Sequence, residues 1–175
     1  NEKGADVYGL EPDKDAVSIC KLKGIKNIKI GVSEKIPYPN NFFDVIYCYT
    51  VLEHVANPQK SLQEITRVAK KNGKIYIQTP NYLSCYEGHY KVFWLPLFPK
   101  PLASIYLKLR GRNPDFLKTI NYLTPKKIEG YLNGLPVNYN FLKHTDKRTK
   151  GILNLPLFVF YTLFNIDPQI ELVIR

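Results

Sequence analysis

The sequence predicts an α/β fold, in which mostly parallel strands alternate with helices. The apolar run from Val45 to Tyr49 shows little alternation, which is typical of a strand buried on both faces. Asn57 and Pro58 then suit the cap and the first position of a helix, and apolar residues recur after them at helical spacing. Asn72-Gly73 is expected to end that helix, and Lys74 to Thr79 is predicted as the next strand.

A shorter strand, helix, strand unit precedes this one. Ala5 to Leu10 is predicted as a strand, Asp15 to Leu22 as a helix, and Ile28 to Ile30 as a small strand near the sheet edge. Glu11 stands at the tip of the first of these strands, where a carboxylate can accept hydrogen bonds from both ribose hydroxyls of a nucleotide. Glu11 is therefore a candidate binding residue, against the alternative of an ordinary exposed turn residue.

The alternation of strand and helix breaks down from Tyr82 to Asn121, a segment rich in aromatic residues and proline. One interpretation is a lid that forms a substrate pocket, for which His89 and Tyr90 are the candidate contacts. The other is a loop that packs its own aromatic rings as a small satellite core. A short helix is predicted within it, over Leu102 to Leu109.

The last third of the chain returns to a regular pattern. Thr124-Pro125 suits the start of a helix, and Val137 to Leu142 and Gln169 to Ile174 are predicted strands. Ile152 to Phe164 is apolar, but it is shorter than the roughly 20 residues that cross a bilayer. It is predicted to be either a helix packed on the sheet, which is favoured, or a surface that dips into a bilayer.

Composition indicates one domain with an uneven basic charge. The 175 residues carry a net charge of +10, and Lys100 to Lys150 contains eleven basic and three acidic residues. Such a region favours phosphate-bearing substrates, acidic lipid surfaces or nucleic acid as partners, or it is a solvated basic face that aids solubility. Three cysteines without a CxxC pair favour a reduced, cytoplasmic protein, with peripheral membrane contact as an open alternative.

The central unit also carries a family resemblance. The residues concerned are Phe43 to Ile46, Val51-Leu52-Glu53-His54-Val55, Glu64 to Val68, Gly73, and Ile75 to Asn81. In this order they resemble the second half of the catalytic domain of class I S-adenosylmethionine-dependent methyltransferases, particularly the bacterial group that methylates small molecules, quinones and glycan- or lipid-linked acceptors. The resemblance implies a Rossmann-like three-layer sheet with an antiparallel last strand, and S-adenosylmethionine as the cofactor.

The resemblance also implies where the cofactor lies. It places the ribose beside Glu11, the adenine beside the loop that begins at Gly31, and the methionine part beside the end of the central strand. The cofactor-binding candidates are accordingly Glu11, Pro12, Ser33, Glu34, Tyr49 and Thr50. Val32 departs from the family pattern, which often has an acidic residue at this position.

His54 is the catalytic candidate, because a neutral imidazole near the methyl group could take a proton from an acceptor hydroxyl. A structural role in orienting its loop is slightly favoured over that of a base. No metal site is expected, because His54, His89 and His144 are far apart in the sequence and no HExxH or paired cysteine spacing occurs.

The family's first strand and its glycine-rich turn have no counterpart in these residues, so the sequence is expected to be a fragment of a longer protein or to lack a segment. The predicted function is methyl transfer from S-adenosylmethionine to a small-molecule or lipid- or glycan-linked acceptor. The alternative is a non-catalytic module of the same fold that binds a partner or an anionic membrane surface. Nucleic-acid binding is a third and less favoured option.

Overall fold

The computed structural model of the protein describes residues 4–142 and 167–175. The predicted Ile152 to Phe164 segment and the basic residues from Lys143 to Lys150 lie outside these residues. The described elements are β1 (Gly9–Glu11), α1 (Lys14–Leu22), β2 (Ile28–Ile30), β3 (Phe43–Tyr49), α2 (Pro58–Val68), β4 (Ala69–Pro80), β5 (Tyr86–Glu87), β6 (Val92–Phe93), α3 (Lys100–Leu109), a 3-10 helix (Asp115–Lys118), α4 (Pro125–Leu132), β7 (Tyr139–Leu142) and β8 (Gln169–Ile174).

Within the described residues, the main sheet has four strands in the order β3, β4, β8, β7. β3 and β4 are parallel, and β8 runs antiparallel to both β4 and β7. β3, β4 and β7 therefore run in one direction, and β8, the last strand, runs in the opposite one. This confirms the prediction of a mostly parallel sheet with an antiparallel last strand. β1 and β2 form a separate parallel pair.

α2 and α4 cover one face of this sheet. Leu62, Ile65 and Ile128 are at most 2% exposed, and they join the core with the inward side chains of β4 and β8. Asn57 caps α2 by accepting a hydrogen bond from the amide of Lys60 at 2.9 Å, as its side chain predicts. On the other face of β3, Tyr47 is 76% exposed.

α2 ends earlier than the sequence predicts. The helix stops at Val68 and β4 begins at Ala69, so Asn72-Gly73 lies inside a strand and does not end the helix. The amides of Asn41 and Phe42 donate to the carbonyls of Arg67 and Val68, and these bonds satisfy the end of the helix.

The segment from Tyr82 to Asn121 forms the satellite core that was one of its two interpretations. It contains the β5–β6 hairpin, α3 and the 3-10 helix. The buried residues of this core are Tyr90, Val92, Trp94, Ala103, Leu107 and Leu117. α3 begins at Lys100, slightly before the predicted Leu102.

Candidate functional site

The carboxyl ends of β3 and β4 are joined by a buried hydrogen bond. The Thr79 hydroxyl at the end of β4 donates to Glu53 Oε2 at 2.8 Å, and Glu53 lies in the loop that follows β3. Asn121 holds the same loop from outside, because its backbone amide donates to the Glu53 carbonyl and its side-chain amide donates to the Val55 carbonyl. Ligands of open α/β sheets bind at this edge, beyond the carboxyl ends of the strands.

Glu53 is the most unusual side chain at this edge. It is fully buried, and its Oε2 accepts from Thr79, whereas its Oε1 is buried and has no hydrogen-bond partner among the residues that the structure describes. His54 Nε2 lies 3.8 Å from Glu53 Oε1. A buried carboxylate oxygen without a partner is costly, because water no longer solvates it.

The structure brings His54 and His89 together, although they are distant in the sequence. Their ring centroids are 5.0 Å apart, and Phe116 lies 5.1 Å from His54 and 5.3 Å from His89. Both imidazoles are partly open to solvent. The distance in sequence that argued against a shared site for these two histidines is therefore no guide to their arrangement in space.

Glu87 orients His89 through a contact with its ring nitrogen Nδ1. Its carboxylate is buried, and Oε1 contacts His89 Nδ1 at 2.7 Å while Oε2 accepts from the amide of Tyr90. The Tyr82 hydroxyl also donates to Glu87 Oε1. The hydrogen bond to Glu87 raises the pKa of His89, whereas burial lowers the pKa of His54 despite its neighbour Glu53.

Tyr49 and Thr50 lie at the carboxyl end of β3, where the cofactor was predicted. Thr50 has a φ of 51°, which is rare for a β-branched residue, and its amide donates to the Gln78 carbonyl. Tyr49 is 65% exposed. Strained backbone of this kind is concentrated at ligand sites.

Glu11 ends β1, and Pro12 follows it as an exposed residue. Glu11 Oε1 accepts a hydrogen bond from the amide of Asp13 at 3.0 Å. This contact fixes the turn before α1, and the carboxylate keeps a second oxygen that could accept from a ligand. Its predicted contact with ribose stays a prediction.

Ser33 and Glu34 attach the loop after β2 to the start of α2. Ser33 Oγ lies 2.7 Å from Ser61 Oγ, and Glu34 Oε1 accepts from the Asn57 amide at 3.1 Å. Since α2 starts just beyond the loop that follows β3, the loops after β2 and β3 meet at one edge. Contact of Ser33 and Glu34 with the adenine stays a prediction.

Tyr90 differs from its predicted environment more than the other candidates do. It is 8% exposed and packs in the satellite core, and its hydroxyl is buried. A contact between Tyr90 and a substrate stays a prediction. Sequence reasoning did not single out Glu87 or Asn121, because a lone Glu in Tyr-Glu-Gly-His and a lone Asn carry no motif.

Comparisons with known proteins identify relatives of this chain. A family model described as "Methyltransferase domain" matches residues 1–77. The ubiquinone biosynthesis O-methyltransferase of Pelagibacter ubique is 28% identical over 164 residues, which are 83% of this chain and 61% of that protein. An uncharacterized protein of Methanocaldococcus jannaschii, MJ1123, is 39% identical over 69 residues, which are 39% of this chain and 33% of that protein. The chain therefore spans less than two thirds of the length of these relatives.

Solved structures agree on the fold. The YcgJ protein of Bacillus subtilis matches with a TM-score of 0.57 and 17% identity, over 95% of this chain and 80% of that one. An S-adenosylmethionine-dependent methyltransferase of Mesorhizobium loti matches with a TM-score of 0.62 and 12% identity, over 99% of this chain and 82% of that one. The sheet order and these structures agree on the fold of the class I S-adenosylmethionine-dependent methyltransferases, and the methyltransferase-domain model matches the first 77 of the 175 residues.

Proposed function

We propose that this protein transfers the methyl group of S-adenosylmethionine to an oxygen of a small-molecule or lipid-linked acceptor. The observation that carries the proposal is the meeting of the loops after β2, β3 and β4 at one edge. Ser33 and Glu34 contact the start of α2 there, and Glu53 bonds Thr79 across the neighbouring strand ends. The six cofactor candidates lie at or just beyond the carboxyl ends of β1, β2 and β3.

The chemistry asks little of any one residue. Methyl transfer from a sulfonium is an in-line displacement, so that positioning the two reactants and excluding water supply most of the rate enhancement. His54 stays the catalytic candidate, because its partly exposed ring lies at the same edge as Tyr49 and Thr50. His89 is the candidate contact for the acceptor.

An oxygen on a ring-shaped acceptor is favoured by two observations. The two histidines and Phe116 form an aromatic wall, and Phe116 is 44% exposed. The name of the Pelagibacter relative describes an O-methyltransferase of ubiquinone biosynthesis. A phenolic ring could stack on Phe116 while its hydroxyl reaches the imidazoles.

Contact with an anionic membrane surface is a further part of the proposal. α3 exposes Leu102, Ile105 and Leu109, which are 56%, 57% and 82% exposed and share one helical face. Arg110 and Arg112 follow directly, and apolar groups beside basic ones suit an anionic bilayer surface. None of the helices described by the structure is long and apolar enough to span a bilayer. A cytoplasmic location stays a prediction.

The experiment is a methyl-transfer assay of the protein with S-adenosylmethionine and a dihydroxylated aromatic acid, read by mass spectrometry. The matched control acceptor is the same ring with both hydroxyls replaced by hydrogen. We expect S-adenosylhomocysteine and a methyl ether from the first acceptor only. Equal cofactor turnover with both acceptors would contradict transfer to a ring hydroxyl, and a methylated amine from an amino analogue would identify nitrogen as the acceptor atom.

A further inference from the structure

Three side chains at the carboxyl edge aim potential metal ligands at one point. One carboxylate oxygen of Glu53 and one ring nitrogen each of His54 and His89 lie within 4.8 Å of one another. His54 Nε2 and Glu53 Oε1 are 3.8 Å apart, close enough for both to reach one ion after a small adjustment. No sequence motif announces the group, because Glu53 and His54 come from the loop after β3 and His89 follows β5.

Glu53 and His89 each use one polar atom in a contact within the protein, so that the other polar atom is available for an ion. Glu53 Oε2 accepts from Thr79, and Oε1 is buried with no hydrogen-bond partner in residues 4–142 and 167–175. His89 Nδ1 is held by the buried carboxylate of Glu87, which leaves Nε2 to donate its lone pair. A carboxylate behind a histidine is the usual support of a metal ligand, because it fixes the tautomer and the ring orientation.

We propose that Glu53, His54 and His89 bind a divalent transition-metal ion, with Glu87 and Thr79 as its supporting residues. Two imidazoles and one carboxylate are a ligand set that zinc and iron(II) use in sites that keep an open coordination position. The positive ion would also supply the partner that Glu53 Oε1 lacks. The assignment gives His54 the role of a ligand in place of that of a base.

The open position gives the ion a role that rests on the proposed function. An acceptor hydroxyl that coordinates the ion becomes more acidic and is held at a fixed point beside the reacting methyl group. Both histidine side chains are partly exposed, at 32% for His54 and 22% for His89, so the site is open to an acceptor.

The test is a calorimetric titration of zinc chloride into the metal-free protein, with variants chosen for each role. Glu53→Gln and His89→Gln remove one ligand each, and Glu87→Gln removes only the support of His89. Asp44→Asn is the matched control, because Asp44 is an exposed carboxylate at the amino end of β3 that pairs with Lys70. Circular dichroism of each variant shows whether it is folded.

We expect one bound ion per chain, unchanged affinity in Asp44→Asn, and a loss of at least a hundredfold in Glu53→Gln and His89→Gln. Glu87→Gln should lose about tenfold to a hundredfold, the usual effect of removing a supporting residue. Folded Glu53→Gln or His89→Gln that binds zinc like the parent would overturn the proposal, and so would the absence of any saturable binding. Glu11→Ala should leave the affinity for zinc unchanged while it weakens cofactor binding, which separates a failure of this site from a failure of the proposed function.

Discussion

Thr79 Oγ1 and Glu53 Oε2 are 2.8 Å apart and buried, and this bond ties the loop after β3 to the end of β4. It fixes one oxygen of Glu53, and the other has no hydrogen-bond partner among the described residues at the edge where the cofactor and acceptor are proposed to meet. This pair therefore contributes both to stability and to the proposed site, because the hydrogen bond that links the ends of the two strands also orients the Glu53 carboxylate.

Thr79→Val should destabilise the protein by about 1–3 kcal/mol, because the buried Glu53 carboxylate loses a hydrogen-bond donor. Thr66→Val is the matched control, since the Thr66 hydroxyl is also buried but has no hydrogen-bond partner in the described part of the chain. The control should be neutral or slightly stabilising. Urea unfolding of both variants measures the difference, and equal effects would show that the Thr79 bond contributes nothing specific.

Gly73→Ala should destabilise the protein by about 1–3 kcal/mol through crowding of the backbone. A Cβ at Gly73 would lie 3.0 Å from the Lys70 carbonyl oxygen and 3.1 Å from the carbonyl oxygens of Asp44 and Phe43. These are backbone atoms of the strand pairing, which cannot move away as a side chain could.

Gly130→Ala is the control for Gly73→Ala, because Gly130 lies in α4 and no neighbouring atom of the described residues is within 4 Å of an added Cβ. Alanine is favoured in a helix, so this change should be neutral or stabilising. Thermal unfolding compares the two variants, and a Gly73→Ala protein as stable as the parent would contradict the close approach.

The contact between Glu64 of α2 and the loop between β2 and β3 should make the free energy of unfolding decrease at acid pH. Glu64 accepts from Arg67 and from the Ile36 amide, and the hydrogen bond from Arg67 holds the pKa of Glu64 below its usual value. A depressed carboxylate pKa adds stability above the unfolded-state value near 4.5, and this stability is lost as the pH falls below it. Glu64→Gln should therefore flatten the decline of unfolding free energy below about pH 4.5.

Asp115→Asn tests whether Glu64 is special in this respect. Asp115 pairs with Lys118, but both side chains are exposed, at 68% and 78%. Solvent screens such a pair, so its removal should change the pH profile little. A flatter profile in Asp115→Asn than in Glu64→Gln would contradict the proposed role of the Glu64 network.

The exposed face of α3 should govern any binding to membranes. Leu102→Ser with Ile105→Ser should reduce cosedimentation with phosphatidylglycerol vesicles at least several-fold, because it removes apolar area from the contact. Leu22→Ser is the control, since Leu22 is 88% exposed on α1. Binding that the double variant retains in full, or equal binding to uncharged phosphatidylcholine vesicles, would contradict the proposed surface.

The sequence predicts most of the fold because each strand and helix carries its own local signal. Thr124 caps α4 and Gln169–Ile174 is the last strand, as their residues indicate. The predicted end of α2 is wrong, because Asn72-Gly73 has the residue types that commonly end a helix. Gly73 is needed instead for the close approach of β4 to the backbone of Phe43 and Asp44.

The candidate site was less accessible from sequence, because its geometry comes from tertiary packing. The Glu53 loop resembles the family, but its bond to Thr79 depends on the pairing of β3 with β4. Glu87 becomes visible only when the β5–β6 turn places its carboxylate against His89. No spacing rule links His54 to His89, because only the packing of the segment from Tyr82 to Asn121 places His89 beside His54.

The most direct test of the central claim is a calorimetric titration of S-adenosylhomocysteine into the protein, its Glu11→Ala variant and the Asp44→Asn control. The account predicts one saturable site, the same affinity in the control, and at least tenfold weaker binding in Glu11→Ala, because the ribose hydroxyls lose their acceptor. A folded protein that gives no binding heat, or a Glu11→Ala variant that binds as tightly as the parent, would contradict a cofactor site at this edge.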